Sequence, residues 1–266
     1  MIPRSCGLIL GLLVLGSACA YPPTPPEPSD GFQASVRAHD LLDRPEGTGP
    51  FPAVIMLHGC SGLGGRDRMW AERIQGWGHL VLRVNSFAPR GLKRVCGGRI
   101  MREEERVPDV LAALAHLRML PDVDPRRIAL MGWSHGGGAA LSTLSAAPED
   151  PSDGFRATIV FYPGCRRVPP WRTKTPTLIL LGELDDWTDP GPCQALADRQ
   201  REAGSDVTQV TYPDAYHNFD NPLLGPAKRR VADARGRRGA TTQYNPAAAE
   251  DSLARVREFL ARHLGK

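Results

Sequence analysis

Arg127-Ile-Ala-Leu-Met-Gly132-Trp-Ser134-His-Gly136 is the stretch that decides how this chain folds. Arg127–Met131 reads as a short apolar strand, and a helix rich in small residues follows it. Gly-x-Ser-x-Gly at a strand-to-helix junction is a nucleophile elbow. Its two glycines let the backbone turn so tightly that the serine stands exposed above the sheet edge. Ser134 is therefore the candidate nucleophile.

Outward from the elbow, strands and helices alternate. Pro52–His58 is a continuous apolar run, as expected of a strand buried on both faces. Further strands are expected at 80–84, 157–161, 177–181 and 207–212. Helices are expected near 67–77, 107–117, 135–147, 192–203 and 247–264. The last carries Leu253, Val256, Phe259, Leu260 and Leu264 on one face. This alternation predicts an α/β fold, with a mainly parallel central sheet and helices on both faces. There is no internal repeat and no second domain.

In such sheets the reactive groups gather at the carboxyl ends of strands. Gly182-Glu-Leu-Asp185-Asp186 follows strand 177–181, and Pro213-Asp-Ala-Tyr-His217 follows strand 207–212. Ser134, Asp185 and His217 thus appear in the Ser…Asp…His order of the α/β-hydrolases. The chemistry needs each of them: a histidine to take the serine proton, and a carboxylate to fix its tautomer and stabilise its cation. Asp185 is preferred to the adjacent Asp186 as the acid, because Gly-x-x-Asp is the usual spacing. Asp214 and Asp220 read as solvated loop charges. The amides of Cys60, after the first buried strand, and of His135, after the serine, are the expected oxyanion donors. His58 reads as a packing residue beneath that loop. No H-E-x-x-H or similar cluster occurs, so neither a catalytic metal nor any cofactor is expected.

The chain has 266 residues, 41% apolar and 23% charged, with a formal charge of +4. Such a mild charge does not point to nucleic acid. Arg4 precedes a short apolar run, Leu8–Gly16, too short to span a bilayer, so residues 1–20 read as a signal peptide. Ala18-Cys19-Ala20 fits a cleavage site, and Leu15–Cys19 also fits a lipobox that would leave an acylated Cys19. Residues 21–31 form a Pro-rich linker, and 32–266 the folded domain. Localisation is thus expected to be periplasmic, either free or lipid-anchored.

Four cysteines, Cys60, Cys96, Cys165 and Cys193, remain for an oxidising compartment, where they allow three pairings. Cys60–Cys96 with Cys165–Cys193 would join neighbouring loops and add roughly 3 kcal/mol for each bridge.

His58-Gly-Cys-Ser-Gly62, Asn85–Gly91, Gly132–Gly136, Gly182–Asp185 and Tyr212–Phe219 together resemble the dienelactone hydrolase family over residues 32–264. The resemblance implies the hydrolase core, the triad positions Ser134, Asp185 and His217, and the pairings Cys60–Cys96 and Cys165–Cys193. Arg90 falls near the position where that family holds a substrate-contacting arginine, and it reads otherwise, and by preference, as an arginine bonded to loop carbonyls or to Glu103–Glu105. The family's cysteine nucleophile is here Ser134, and its glutamate after the first buried strand is here His58-Gly59. Both departures argue against dienelactone itself as the substrate.

The expected activity is cleavage of small carboxylic esters or lactones through an acyl-enzyme. Acyl transfer, peptide cleavage and a catalytically silent binding protein on the same scaffold are the alternatives. Residues 225–238, rich in Lys and Arg, read as a solvated basic insertion. The sequence leaves the oligomeric state open.

Overall fold

The computed structural model describes residues 42–97, 100–148, 150–231 and 239–265. The expected signal peptide, the linker and Cys19 lie outside them. One seven-stranded sheet runs through the chain in the order β1-β3-β2-β4-β5-β6-β7. Its strands are β1 (Leu42–Asp43), β2 (Phe51–Leu57), β3 (Leu80–Val84), β4 (Val123–Trp133), β5 (Ala157–Phe161), β6 (Thr177–Gly182) and β7 (Val207–Tyr212). All neighbours are parallel except β1, which pairs antiparallel with β3 at one edge.

The helices are α1 (Gly65–Gly76), α2 (Val107–Met119), α3 (His135–Leu144), α4 (Gly191–Glu202) and α5 (Pro246–Leu264). Side chains alternate across a strand, so β2 feeds both faces of the sheet. Ala53, Ile55 and Leu57 join Val110, Leu114, Leu141 and Leu196 on the face of α2, α3 and α4. Val54 and Met56 join Trp70, Ile74, Val256 and Leu260 on the face of α1 and α5. Pro246 opens α5, and Asn245 caps it by accepting from the Ala248 amide at 3.1 Å.

β4 begins at Val123, four residues before the expected start, because Phe51 finds Val123 as its neighbour across the sheet. α3 stops at Leu144, short of the expected 147. A hairpin of β8 (Arg229–Val231) and β9 (Ala240–Thr242) was not anticipated. Its first strand, Arg-Arg-Val, has none of the apolar alternation that marks a strand in sequence. The basic segment therefore folds in part, while 232–238 lie outside the described residues.

Two disulfides are present, Cys60–Cys96 and Cys165–Cys193. The first fastens the loop after β2 to the loop after β3. The second fastens the loop after β5 to the first turn of α4.

The elbow depends on backbone contact. A Cβ on Gly136 would lie 2.2 Å from the Leu57 carbonyl oxygen and 2.5 Å from that of His58. Gly136→Ala must therefore push α3 off β2. A loss of about 3 kcal/mol in urea unfolding is expected, and a change under about 0.5 kcal/mol would contradict the rigid approach.

Candidate active site

Ser134 sits between β4 and α3 with φ 51° and ψ −116°, a left-handed conformation rare for a residue with a Cβ. The turn is held on both sides: the Ser134 amide donates to Phe161 O at 2.9 Å, and its carbonyl accepts from the Gly138 amide at 2.9 Å. The side chain borders a pocket of about 270 Å³ shared with Gly59, Cys60, Arg66, Trp187 and His217.

His217, after β7, is buried, and its Nδ1 donates to Asp185 Oδ2 at 2.7 Å. That bond leaves Nε2 as the unprotonated nitrogen of the neutral ring. Asp185 Oδ1 accepts from the amides of Trp187 at 2.8 Å and Thr188 at 2.9 Å. The Thr188 hydroxyl lies 2.9 Å from Asp185 Oδ2, 3.0 Å from the Tyr162 carbonyl and 3.2 Å from His217 Nδ1. Burial works against the Asp185 charge, but His217 and these donors outweigh it and hold the carboxyl below its ordinary range. The adjacent Asp186 points elsewhere, accepting from the Thr241 amide at 2.6 Å and its hydroxyl at 3.0 Å. It anchors β9, while Asp185 serves His217.

The amide of His135 opens α3, where the first turn has no intrahelical acceptors. Gly59 sets the other loop close by, since a Cβ there would lie 3.8 Å from Ser134 Cβ. The Cys60 carbonyl accepts from the Val95 amide at 2.8 Å. Beneath this loop His58 is fully buried, with its ring 4.4 Å from that of Phe87. Burial, then the nearby Arg106 charge, pushes the His58 imidazole well down, so it stays neutral.

Two expectations are corrected. Arg90 does not reach the pocket: its guanidinium grips Asp109 with two bonds of 2.7 and 2.9 Å and donates to Ser86 O at 2.7 Å. Asp109 is fully buried, so a carboxylate inside the protein holds the cation that the resemblance gives to a substrate. Asp220 is no solvated loop charge either. It is buried and accepts from Trp70 Nε1 at 2.8 Å, Trp133 Nε1 at 2.9 Å and the Tyr162 hydroxyl at 2.5 Å. Trp133 immediately precedes Ser134, and the Tyr162 ring lies 4.4 Å from that of His217. One carboxylate thus braces both the elbow and the histidine.

Two arginines were also missed, Arg66 half-buried and Arg106 fully buried. Arg66 lines the pocket and donates to Asp67 at 3.1 Å, and to Tyr162 and Asn218 at 3.3 Å each. Its burial is outweighed by Asp67, Tyr162 and Asp220, which keep it charged. Arg106 donates to the His58 carbonyl at 2.8 Å and lies 3.4 Å from His135 Nδ1, so it ties together the two loops beside Ser134. Burial lowers it to about 10. Nothing in a single sequence marks such arginines, because apart from Asp67 beside Arg66 their partners are distant in the chain.

The parallel sheet, the helices on both its faces and the strained serine elbow at the carboxyl end of β4 define an α/β-hydrolase fold. Residues 39–264 match the dienelactone hydrolase family model, and the chain belongs to that family. Among similar proteins is the quorum-quenching protein AidA of Acinetobacter baumannii, 30% identical over 145 residues, which are 48% of this chain and 45% of that one. The chain spans about half the length of the named relatives it matches by sequence. Among solved structures, the dienelactone hydrolase-like promiscuous phosphotriesterase P91 from metagenomic libraries shares the fold with a TM-score of 0.64 at 20% identity. That likeness covers 82% of this chain and 89% of the other. Apo esterase 2 of Thermogutta terrifontis gives a TM-score of 0.59 at 20% identity, covering 83% and 88%.

Two measurements test the electrostatics. Asp185 is held below 3.8, so the unfolded chain binds a proton there more readily than the native one. Its stabilisation is complete above that value and is lost as pH falls through the lower native value. In urea unfolding, the gap between wild type and Asp185→Asn should shrink as pH falls below about 4. A gap that widens on acidification would refute the assignment. Asp220→Asn turns an amide towards three donors and should cost about 2 to 3 kcal/mol. A cost under about 0.5 kcal/mol would show that the three contacts do not brace the site.

Proposed function

We propose that the chain is an exported carboxylic ester or lactone hydrolase working through Ser134, His217 and Asp185. The observation that carries this reading is the buried 2.7 Å bond between His217 and Asp185 at a pocket that also contains the strained Ser134. His217 Nε2 takes the proton of Ser134 Oγ as Oγ attacks the acyl carbon, and Asp185 offsets the imidazolium charge. The amides of Cys60 and His135 receive the oxyanion, with the positive end of α3 behind the second. The bond from carbon to the alcohol oxygen then breaks, and that oxygen takes the proton from His217. Water repeats the sequence on the acyl-enzyme and releases the acid. The pathway requires no cofactor.

Two disulfides support an oxidising compartment, in keeping with a signal peptide over residues 1–20 and either a free or a Cys19-anchored mature chain. Small-molecule esters are the substrate class. The serine nucleophile and His58-Gly59, where the family has cysteine and glutamate, weigh against dienelactone itself.

Initial rates on p-nitrophenyl acetate, butyrate and octanoate test the reading. Ser134→Ala should lower kcat/KM by roughly 10⁴-fold or more, and Asp185→Asn by roughly 10³- to 10⁴-fold. A fluorophosphonate probe should label wild type and not Ser134→Ala. Equal rates in both proteins together with no label would sink the proposal.

A further inference from the structure

The two amides assigned to the oxyanion come from different elements, Cys60 from the loop after β2 and His135 from the first turn of α3. They can serve one oxygen only at a fixed separation, and one guanidinium spans the two elements. Arg106, immediately before α2, is fully buried. Its Nη1 donates to the His58 carbonyl at 2.8 Å, two residues before Cys60, and lies 3.4 Å from His135 Nδ1. A guanidinium can only donate, so Nδ1 accepts, and His135 Nε2 donates to the Met101 carbonyl at 3.1 Å. The His135 ring is thereby fixed at both nitrogens. The loop after β3 holds Arg106 in turn. Its Nε donates to Ser86 Oγ at 3.2 Å, and its guanidinium carbon lies 5.3 Å from the centre of the Phe87 ring.

A purely stabilising role does not account for this residue. Burial opposes its charge more than Asp109, Asp67 and Glu103 support it, and Arg90 opposes it as well. Asp109 and Asp67 are themselves engaged by Arg90 and Arg66. Nη2 is buried with no hydrogen bond among the described residues. A cation so weakly compensated is expensive to bury, and an apolar side chain of similar length could fill the same space at less cost to stability. An apolar side chain could not, however, join the His58 carbonyl to the His135 ring.

Building on the serine-hydrolase reading, we propose that Arg106 is a positioning residue for the oxyanion, its Nη1 setting the separation of the Cys60 and His135 amides. Donors fixed in advance need not reorganise when the carbonyl oxygen takes up negative charge, and that is the source of their effect on rate. The His58 carbonyl is also one of the two that Gly136 of α3 approaches, so the guanidinium clamps a contact that close packing already makes. The triad is held separately: Asp185 and the Thr188 hydroxyl fix His217. Loss of Arg106 should therefore harm the oxyanion donors and spare proton transfer.

The test compares wild type, Arg106→Gln, Arg106→Lys and His135→Phe on p-nitrophenyl butyrate and on its thiono analogue, in which sulfur replaces the carbonyl oxygen. Sulfur accepts hydrogen bonds weakly, so the ratio of kcat/KM for the two esters reads the oxyanion donors. Proton transfer through His217 is common to both. Arg106→Gln should lower kcat on the oxygen ester about 100-fold, leave KM within about threefold and cut the oxygen-to-sulfur ratio about tenfold. Arg106→Lys, which keeps a donor and the charge, should fall between that variant and wild type. His135→Phe removes the ring nitrogens alone and should cut the ratio about fivefold, and it carries the test if Arg106→Gln does not fold. A ratio unchanged in the folded variants, with both esters slowed equally, would overturn the assignment and leave Arg106 a packing residue. Loss of turnover in Ser134→Ala together with that unchanged ratio refutes this inference alone. Full turnover in Ser134→Ala refutes the serine-hydrolase reading beneath it.

Discussion

The first turn of α3 lies against the carboxyl end of β2 with no side chain between them, and the placement of Ser134 follows from that contact. Gly136 meets the Leu57 and His58 carbonyls at distances that exclude even a methyl group, and a Cβ on Gly132 would lie 2.4 Å from the Gly136 carbonyl oxygen. Because the helix cannot retreat, the residue joining it to β4 is forced into a left-handed conformation. A strained serine persists only where its surroundings over-determine it. Here they do so through the bonds to Phe161 and Gly138 and through close packing underneath.

Around that contact the protein buries an unusual amount of charge for a small site. Asp185, Asp220, Arg66 and Arg106 each find polar partners, although one guanidinium nitrogen of Arg66 and one of Arg106 are left without a hydrogen bond. The partners divide the work. Asp185 fixes the histidine ring, Asp220 holds Trp133 and Tyr162, and Arg106 joins the His58 carbonyl to His135. Loss of one partner leaves a charge stranded in a low-dielectric interior, so these residues act as a set and not as separate contributors.

Much of this was legible in the sequence, for reasons that differ by residue. Gly132, Ser134 and Gly136 were legible because the elbow needs those residue types at a fixed spacing. The strands were legible because burial on both faces removes polar residues from them. Asp185 and Asp186 could be ranked only by spacing, and three-dimensional contacts with His217 and Thr241 now tell their placements apart. Asp220 was misread because its donors, Trp70, Trp133 and Tyr162, come from elements far away in the chain, while its own neighbours form a loop. Arg90 was read in part: it bonds a loop carbonyl, Ser86 O, as preferred, but its carboxylate partner is Asp109 and not Glu103–Glu105, on a helix whose periodicity gives no sign of a buried carboxylate. The β8–β9 hairpin escaped because it pairs through backbone groups, with few apolar side chains to announce it.

The Cys60–Cys96 bridge joins the loop that carries Gly59 and Cys60 to a segment 36 residues further on. A loop held only by hydrogen bonds must be ordered afresh whenever it opens, and that ordering subtracts from each encounter with a ligand. A covalent tether moves the ordering to a single event in the lifetime of the molecule, the moment of oxidation. From then on the geometry beside Ser134 is inherited rather than induced, and the shape of the loop becomes a record of the oxidation that closed it.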